Sequence, residues 1–229
     1  MFEHDLHPLF LSLKIAGVSI IFIALFGISI AYFMSKKEFY GKSIVEAIFL
    51  LPLVLPPTVM GFGLLLLFGK NGPIGSFLAE HGLSVIFHWT GAVIAAIVVS
   101  FPMMYQSAQA AFKVMDPRLE KAAMTMGASK FKIFFTVTLP IVWPGLLAGI
   151  VLAFARALGE FGATLMLAGY IPGKTDTIPL VIYFAVQNGQ MEKAAFWVGI
   201  IVAVGFVTIL WLNWWTKNTV RRFAHQDES

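Results

Sequence analysis

Leu119-Glu120-Lys121-Ala122-Ala123-Met124-Thr125-Met126-Gly127, followed nine residues later by Val137-Thr138-Leu139-Pro140, is a charged stretch enclosed by two long apolar ones. A chain that buries its flanks in lipid must place this stretch in water, because Lys and Glu are costly in hydrocarbon. Asp116-Pro117-Arg118 has the form of an N-cap with proline at the first helical position, so the pattern predicts a short helix from about Pro117 to Met126. Gly127 suits a left-handed C-cap, Ala128–Thr136 reads as a second short helix, and Leu139-Pro140 is expected to turn the chain back into the membrane. Two short helices around a glycine make a knob. Small Ala122 and Ala123 would let a partner surface approach closely, and Glu120 would offer a charge to an Arg or Lys across the contact. The generic alternative is an amphipathic segment lying on anionic headgroups, with Lys113, Lys121, Lys130 and Lys132 facing the lipid.

The need for a bilayer comes from composition. Of 229 residues, 59% are hydrophobic and 12% charged, with mean hydropathy +0.83, more than a soluble domain of this size needs for its core. Runs free of Asp, Glu, Lys and Arg occupy Ile15–Met34, Ala47–Gly69, Gly82–Phe112, Ile133–Ala155 and Ala194–Thr216, each near or above the roughly 20 residues that cross about 30 Å of hydrocarbon as a helix. The expected fold is an all-α polytopic membrane protein. A single transmembrane domain covers 1–229, with spans at about 10–34, 45–68, 90–112, 141–168 and 194–216 and a water-exposed connection at 113–140. A β-barrel is disfavoured because its strands would alternate apolar and polar residues, and these runs are apolar on all sides. The first run is longer than a signal-peptide core and is followed by Ser35-Lys36-Lys37-Glu38 rather than a small-residue cleavage site, so it reads as a permanent span. The chain has no cysteine, which removes disulfide, thiol and thiolate-metal chemistry.

Charge placement gives the orientation. Lys36, Lys37 and Lys42 follow the first span, Lys113, Arg118, Lys121, Lys130 and Lys132 the third, and Lys217, Arg221 and Arg222 the fifth, which makes eleven of the sixteen basic residues. By the excess of basic residues that side is cytoplasmic, with the N-terminus outside and the C-terminus inside. The net charge of +4 is therefore a membrane-topology signal, and no nucleic-acid partner is expected. Trp211, Trp214 and Trp215 beside Lys217 and Arg221 form an aromatic belt with a basic anchor at the cytoplasmic end of the last span.

Two spans carry features that plain lipid anchors avoid. Pro52, Pro56 and Pro57 lie in Leu51-Pro52-Leu53-Val54-Leu55-Pro56-Pro57-Thr58, where missing donors and ring clashes must bend or break the helix. Either a packing kink or an unwound turn lining a pathway would answer. In the expected fourth span, Arg156 and Glu160 stand four apart within Arg156-Ala157-Leu158-Gly159-Glu160-Phe161-Gly162-Ala163-Thr164 and should share one helix face. A charge there costs about 2.5–3.5 kcal/mol on insertion scales, so the two should face the bundle or a cavity and each other. They read either as a self-neutralised structural pair or as part of a translocation path or gate, together with Pro56 and Pro57. In the third span, Gln106, Ser107 and Gln109 either cap the interface or wet an inner vestibule. Gly169-Tyr170-Ile171-Pro172-Gly173-Lys174-Thr175-Asp176-Thr177-Ile178-Pro179 reads as a turn-rich external loop against which a binding protein could press.

The charged stretch resembles the EAA loop of ABC importer permeases: Glu120-x-Ala122-Ala123, three residues, Gly127, nine residues, then Val137 where Ile is usual, and Leu139-Pro140. The Leu51–Pro57 prolines, the Arg156–Thr164 run and the Ile171–Pro179 loop extend the likeness over most of the chain and resemble molybdate ABC transporter permeases. Sulfate permeases are the nearest relatives, usually with Tyr where Phe161 stands. The resemblance implies the type I ABC importer permease (MetI-like) fold in a prokaryotic inner or plasma membrane. It implies a homodimer, two copies of a cytoplasmic ABC ATPase holding ATP and Mg, and an external oxyanion-binding protein. It assigns ATPase coupling to Glu120, Ala122, Ala123, Gly127, Leu139 and Pro140. The substrate implied is molybdate, with sulfate or tungstate as the alternative. The chain carries no Gly-x-x-x-x-Gly-Lys-Ser/Thr loop, so ATP would be hydrolysed on another polypeptide, and no cofactor or metal is expected on this one.

Two other classes compete. An intramembrane enzyme would need a buried acid–base or metal constellation, but His4, His7, His81, His88 and His225 lie in leads, loops and tail. A stand-alone channel or secondary carrier has no use for a cytoplasmic knob with this spacing.

Overall fold

Small residues at four-residue spacing decide how the helices approach one another. The computed structural model describes residues 6–224, without the side chains of 212, 213 and 216–224. His4 and His225, and the anchoring side chains expected at Lys217 and Arg221, lie outside the described residues. All regular structure among them is helical: α1 His7–Lys36, α2 Lys42–Val54, α3 Pro57–Phe68, α4 Pro73–Glu80, α5 Trp89–Val114, α6 Pro117–Thr125, α7 Lys130–Ile133, α8 Leu139–Leu158, α9 Gly162–Ala168, α10 Ile178–Gln187 and α11 Met191–Ala224. A π-helical turn, Phe134–Thr138, joins α7 to α8.

The axis of the bundle is α5, with α1 along one side and α8 along another. A Cβ on Gly145 would stand 2.7 Å from that of Ala111, and one on Gly149 2.7 Å from that of Ser107. Ala153 and Ala157 continue the same row and are buried. In lipid no hydrophobic effect draws helices together, so this backbone approach and its dispersion contacts supply the association. Gly27 plays the same part for α1, since a Cβ there would meet Met104 at 2.8 Å. Ile23, Met104, Tyr105 and Leu146 are fully buried where the three helices meet.

Among the described residues four helical stretches are long and apolar enough to cross a membrane: His7–Lys36, Trp89–Val114, Lys130–Leu158 and Met191–Trp211. The fifth crossing is the pair α2 and α3, bent by 116° at Leu55-Pro56. Glu46 of α2 contacts Gln109 near the end of α5, whereas Phe68 at the end of α3 shares a cavity with Phe87, just before α5 begins. The two ends of the pair therefore lie near opposite ends of α5, as those of a broken span do.

Two sequence expectations need correction. The segment 113–140 does not end in a turn at Leu139-Pro140; the second short helix, expected at Ala128–Thr136, starts at Lys130 and continues through Pro140 as one helix to Leu158. Pro140 lacks an N–H and crowds the carbonyl one turn back, and the helix widens over Phe134–Thr138 instead of turning, with the Leu139 N–H donating to the Phe134 carbonyl. The fourth expected span, about 141–168, is likewise interrupted: α8 stops at Leu158 and α9 starts at Gly162.

Candidate functional site

α6 is built as its sequence demands. The Asp116 carboxylate accepts from the Arg118 N–H at 2.8 Å, and Pro117 occupies the first helical position. At the other end Gly127 adopts φ +82°, the Ala128 N–H reaches the Ala123 carbonyl and the Gly127 N–H that of Met124. This pair of bonds is a Schellman motif, and it needs the left-handed residue that glycine supplies. Ser129 caps α7 by accepting from the Lys132 N–H.

Glu120 does not face outward. One carboxylate oxygen accepts from Lys36, the last residue of α1, and the other accepts from the Thr138 hydroxyl at 2.8 Å; the side chain is 13% exposed. The charge expected to meet a partner's Arg or Lys is thus engaged within its own chain, where it joins α6 to α1 and to the π-turn that opens α8. Around α6 and α7 large apolar side chains stand exposed among the equally exposed Arg118, Lys121, Lys130 and Lys132: Leu119, Met124, Met126, Phe131 and Phe135, with Met126 at 87% and Phe131 at 76%. Ala122 and Gly127 lie among them on the surface, Ala123 and Leu139 are half-buried, and Pro140 is exposed on the following helix.

At mid-bundle the two interrupted spans cross at their breaks. A Cβ on Gly162 would stand 3.0 Å from Pro57 Cβ and 3.2 Å from the Thr58 nitrogen, and one on Gly61 2.7 Å from Ala163 Cα. Hence α9 continues where α8 ends while packed flat on the start of α3. Backbone bonds close on either side of the break. The Leu51 carbonyl accepts from Leu55, and the Pro56 carbonyl accepts from Val59 and Met60.

Arg156 and Glu160 sit on the α8 side of this crossing. Their contact is 2.7 Å, with Arg156 a quarter exposed and Glu160 buried. They do not share one helix: Arg156 is in the last turn of α8, Glu160 lies beyond its end, and the other Glu160 oxygen accepts from the Ala163 N–H at 2.9 Å in the first turn of α9. One carboxylate therefore neutralises the arginine and caps the next helix. Pro56 is exposed at the crossing and Pro57 half-buried.

The Gly169–Pro179 loop is more closed than its turn residues suggest. Thr175, Asp176 and Thr177 are buried. The Thr175 hydroxyl accepts from Ile171 N–H and donates to the Gly169 carbonyl, Asp176 accepts from Gly173 N–H and contacts His7 Nδ1 at 2.8 Å, and Ser12 of α1 accepts from Ile178 N–H. Only Pro172, Gly173 and Lys174 at its tip are exposed. Burial, and then the Asp176 charge, push the Tyr170 hydroxyl above the usual tyrosine range. Among the described residues no group of three or more His, Asp or Glu is arranged to hold a metal ion.

Three side chains that make polar contacts between elements have no site role in the sequence reading. Lys36 lies 84 residues from Glu120 with no spacing rule to link them, and Thr138, though inside the quoted pattern, is not one of its anchors. Glu46 stands one residue before a charge-free run and was concealed by its position at the edge; on α2 it meets Gln109 and Tyr105 of α5.

The chain matches the family described as binding-protein-dependent transport system inner membrane component over residues 23–224. It is 46% identical over 90% of its length to YvgM of Bacillus subtilis strain 168, covering 91% of that protein, whose name as a molybdenum transport system permease is provisional. It is 43% identical over 89% of its length to the molybdenum transport system permease protein ModB of Escherichia coli K12, covering 90% of it. Similarity to the sulfate transport system permease CysT of Salmonella typhimurium is 34% over 88% of the chain and 73% of that protein. In fold it resembles a chain of a bacterial ABC transporter importing alginate (TM-score 0.75, 21% identity, 95% of this chain, 80% of that one) and one of the MetNI methionine ABC transporter (TM-score 0.71, 16% identity, 96% and 99%). A multi-pass helical bundle with an interrupted second span, an exposed knob between its third and fourth spans, and relatives alike over nine-tenths of the chain make it a member of the binding-protein-dependent transport system inner membrane components.

Proposed function

We propose that this chain is the permease subunit of an ATP-driven importer for molybdate. Two copies enclose the path, two copies of a separate cytoplasmic ATPase hold ATP and Mg, and an external protein delivers the oxyanion. The observation that carries the substrate is the gradient of likeness: molybdenum permeases reach 46% identity and sulfate permeases 37%. Orientation follows the basic residues, with the N-terminus outside and α6 in the cytoplasm.

The geometry supports a division of labour. The apolar surface of Leu119, Met124, Met126 and Phe131 around Ala122, Ala123 and Gly127 is the face that docks the ATPase. Glu120 carries the movement inward to α1 and α8 through Lys36 and Thr138. Leu139 and Pro140 continue that route along an unbroken helix to Arg156. There the stacked breaks at Pro56-Pro57 and Gly159–Phe161 let half-helices tilt against one another without exposing new backbone to lipid. Alternating access follows, with ATP closing the ATPase pair and the half-helices opening toward the loaded binding protein.

Uptake of labelled molybdate by cells producing the chain with its ATPase and binding protein tests the reading. Accumulation that excess unlabelled molybdate abolishes and excess sulfate leaves intact is the expected outcome. Competition by sulfate alone would move the chain to the sulfate class.

A further inference from the structure

The helix α2 is shallowly seated on the bundle. None of its thirteen residues is buried, and α5 is the neighbour against which it chiefly packs. It is bounded by two pivots. Gly41 precedes it at φ +86° with open space around its Cα, and the Leu55-Pro56 break, bent by 116°, follows it. Val45, Phe49 and Leu50 rest partly buried against the core around α5, and two specific contacts fix its position. Phe49 lies edge-on between Phe101 and Tyr105, with centroids 5.6 and 5.4 Å away. Glu46 accepts from Gln109 Nε2 at 2.7 Å and, more distantly, from the Tyr105 hydroxyl at 3.5 Å.

The chemistry of that second contact is informative. An ionisable group inside a span is normally paired with opposite charge, as Glu160 is with Arg156. Glu46 is not. Lys42, one turn before it on the same helix, is paired with Glu38, and Glu46 is met by the neutral amide of Gln109 and the Tyr105 hydroxyl. An ion pair whose carboxylate is buried, as in Arg156–Glu160, is expensive to break. A carboxylate held by neutral donors at the edge of a span can exchange them for water and return.

We infer that α2 is a hinged arm that leaves α5 and reseats during each transport cycle, and that Glu46 is the positioning residue that seats it. This rests on the transport reading above. The arm pivots on Gly41 and Pro56. The Phe49 ring and the Glu46 carboxylate form its seat, and Gln109 and Tyr105 are the receiving groups on α5.

The absence of cysteine from the chain makes the test direct. Phe49→Cys and Phe101→Cys, introduced together in the assembled complex, leave Glu46 and Gln109 untouched and can be bridged by a short bifunctional methanethiosulfonate that reductant removes. Bridging should lower molybdate uptake about tenfold or more below that of the same doubly substituted complex before treatment, as locking a gating element does, and reductant should restore it, while the reagent should leave each singly substituted complex at its own untreated rate. Unchanged uptake in a fully bridged complex would overturn the arm. A second arm of the experiment uses Glu46→Ala and Glu46→Gln. The alanine variant should raise the ATP hydrolysed per anion imported several-fold, and the glutamine variant, which keeps an acceptor for Gln109, should return it close to the unsubstituted value. Equal ratios in all three would remove Glu46 from the role. If the unbridged complex hydrolysed ATP without importing molybdate, the substrate reading would fail by itself, and loss of that hydrolysis on bridging, or its persistence, would still decide the arm.

Discussion

Lys36 at the end of α1 donates to Glu120 in the first turn of α6, 84 residues away, and the carboxylate's second oxygen holds Thr138. The knob between the third and fourth spans is thereby fastened to the first span and to the entrance of the fourth. A push on α6 reaches two membrane helices through one side chain. Placing the carboxylate in the first turn also sets it against the positive end of the α6 dipole.

Opposite substitutions at this joint separate an internal role from a partner-facing one. Lys36→Ala and Glu120→Ala should each cost about 1 kcal/mol of stability, a modest figure because the lysine is a third exposed. Both should leave assembly with the ATPase intact and lower uptake per ATP. The reciprocal pair Lys36→Glu with Glu120→Lys should recover part of the lost coupling, measured as uptake per ATP in the same membranes. Recovery from the lysine at 120 alone would mean that the carboxylate acts on another chain.

The crossing of the two breaks predicts a steric effect. Gly162→Val would press its side chain onto Pro57, and Gly61→Val onto the Ala163 backbone. Overpacking of this kind costs about 1–3 kcal/mol. Both variants should insert and assemble yet import poorly, as judged by uptake normalised to the amount of complex. Gly199→Val, where nothing lies near the Cα, should import normally.

Arg156 and Glu160 should behave as one unit. Removing either partner leaves the other charge stranded at the break, at a cost of about 3 kcal/mol, and Glu160→Ala also uncaps α9. Arg156→Met with Glu160→Gln should be milder than Glu160→Ala, because glutamine still accepts from Ala163. Thermal unfolding of the detergent-solubilised chain measures the order. Equal stability of all four proteins would show the pair to be idle.

The Gly169–Pro179 loop should loosen when its internal bonds are cut. Asp176→Ala removes the acceptor for Gly173 and the partner of His7, and amide exchange across 171–177 should accelerate by roughly tenfold, equivalent to about 1.4 kcal/mol. Tyr170 adds an alkaline signature. The folded protein favours the neutral phenol, so the unfolded chain ionises first. Stability is intact below the ordinary tyrosine value of 10.0 and falls as pH rises through it, and Tyr170→Phe should flatten that decline.

What the sequence discloses here is local, and what it hides is long-range. Asp116, Pro117 and Gly127 announce α6 because caps are set by a few neighbouring residues, and the apolar runs announce spans because lipid demands about 20 residues of helix. The four-residue spacing of Arg156 and Glu160 points to their contact, which forms although the helix ends between them. Pro140 misled, since a proline states only that one hydrogen bond is lost. Whether the helix turns or widens depends on the packing of Thr138 and Leu139 against their neighbours. The inward turn of Glu120 depended on Lys36, which no local pattern connects to it. Glu46 was hidden for a related reason, since its partners belong to another span.

ATP hydrolysis by the complex in proteoliposomes, with the binding protein loaded in turn with molybdate, tungstate or sulfate, tests the central claim most directly. The account predicts assembly with the ATPase through α6 and stimulation by the molybdate-loaded protein well above that by the sulfate-loaded one. Stimulation by the sulfate-loaded protein alone, or failure of the chain to assemble with any ATPase, would contradict it.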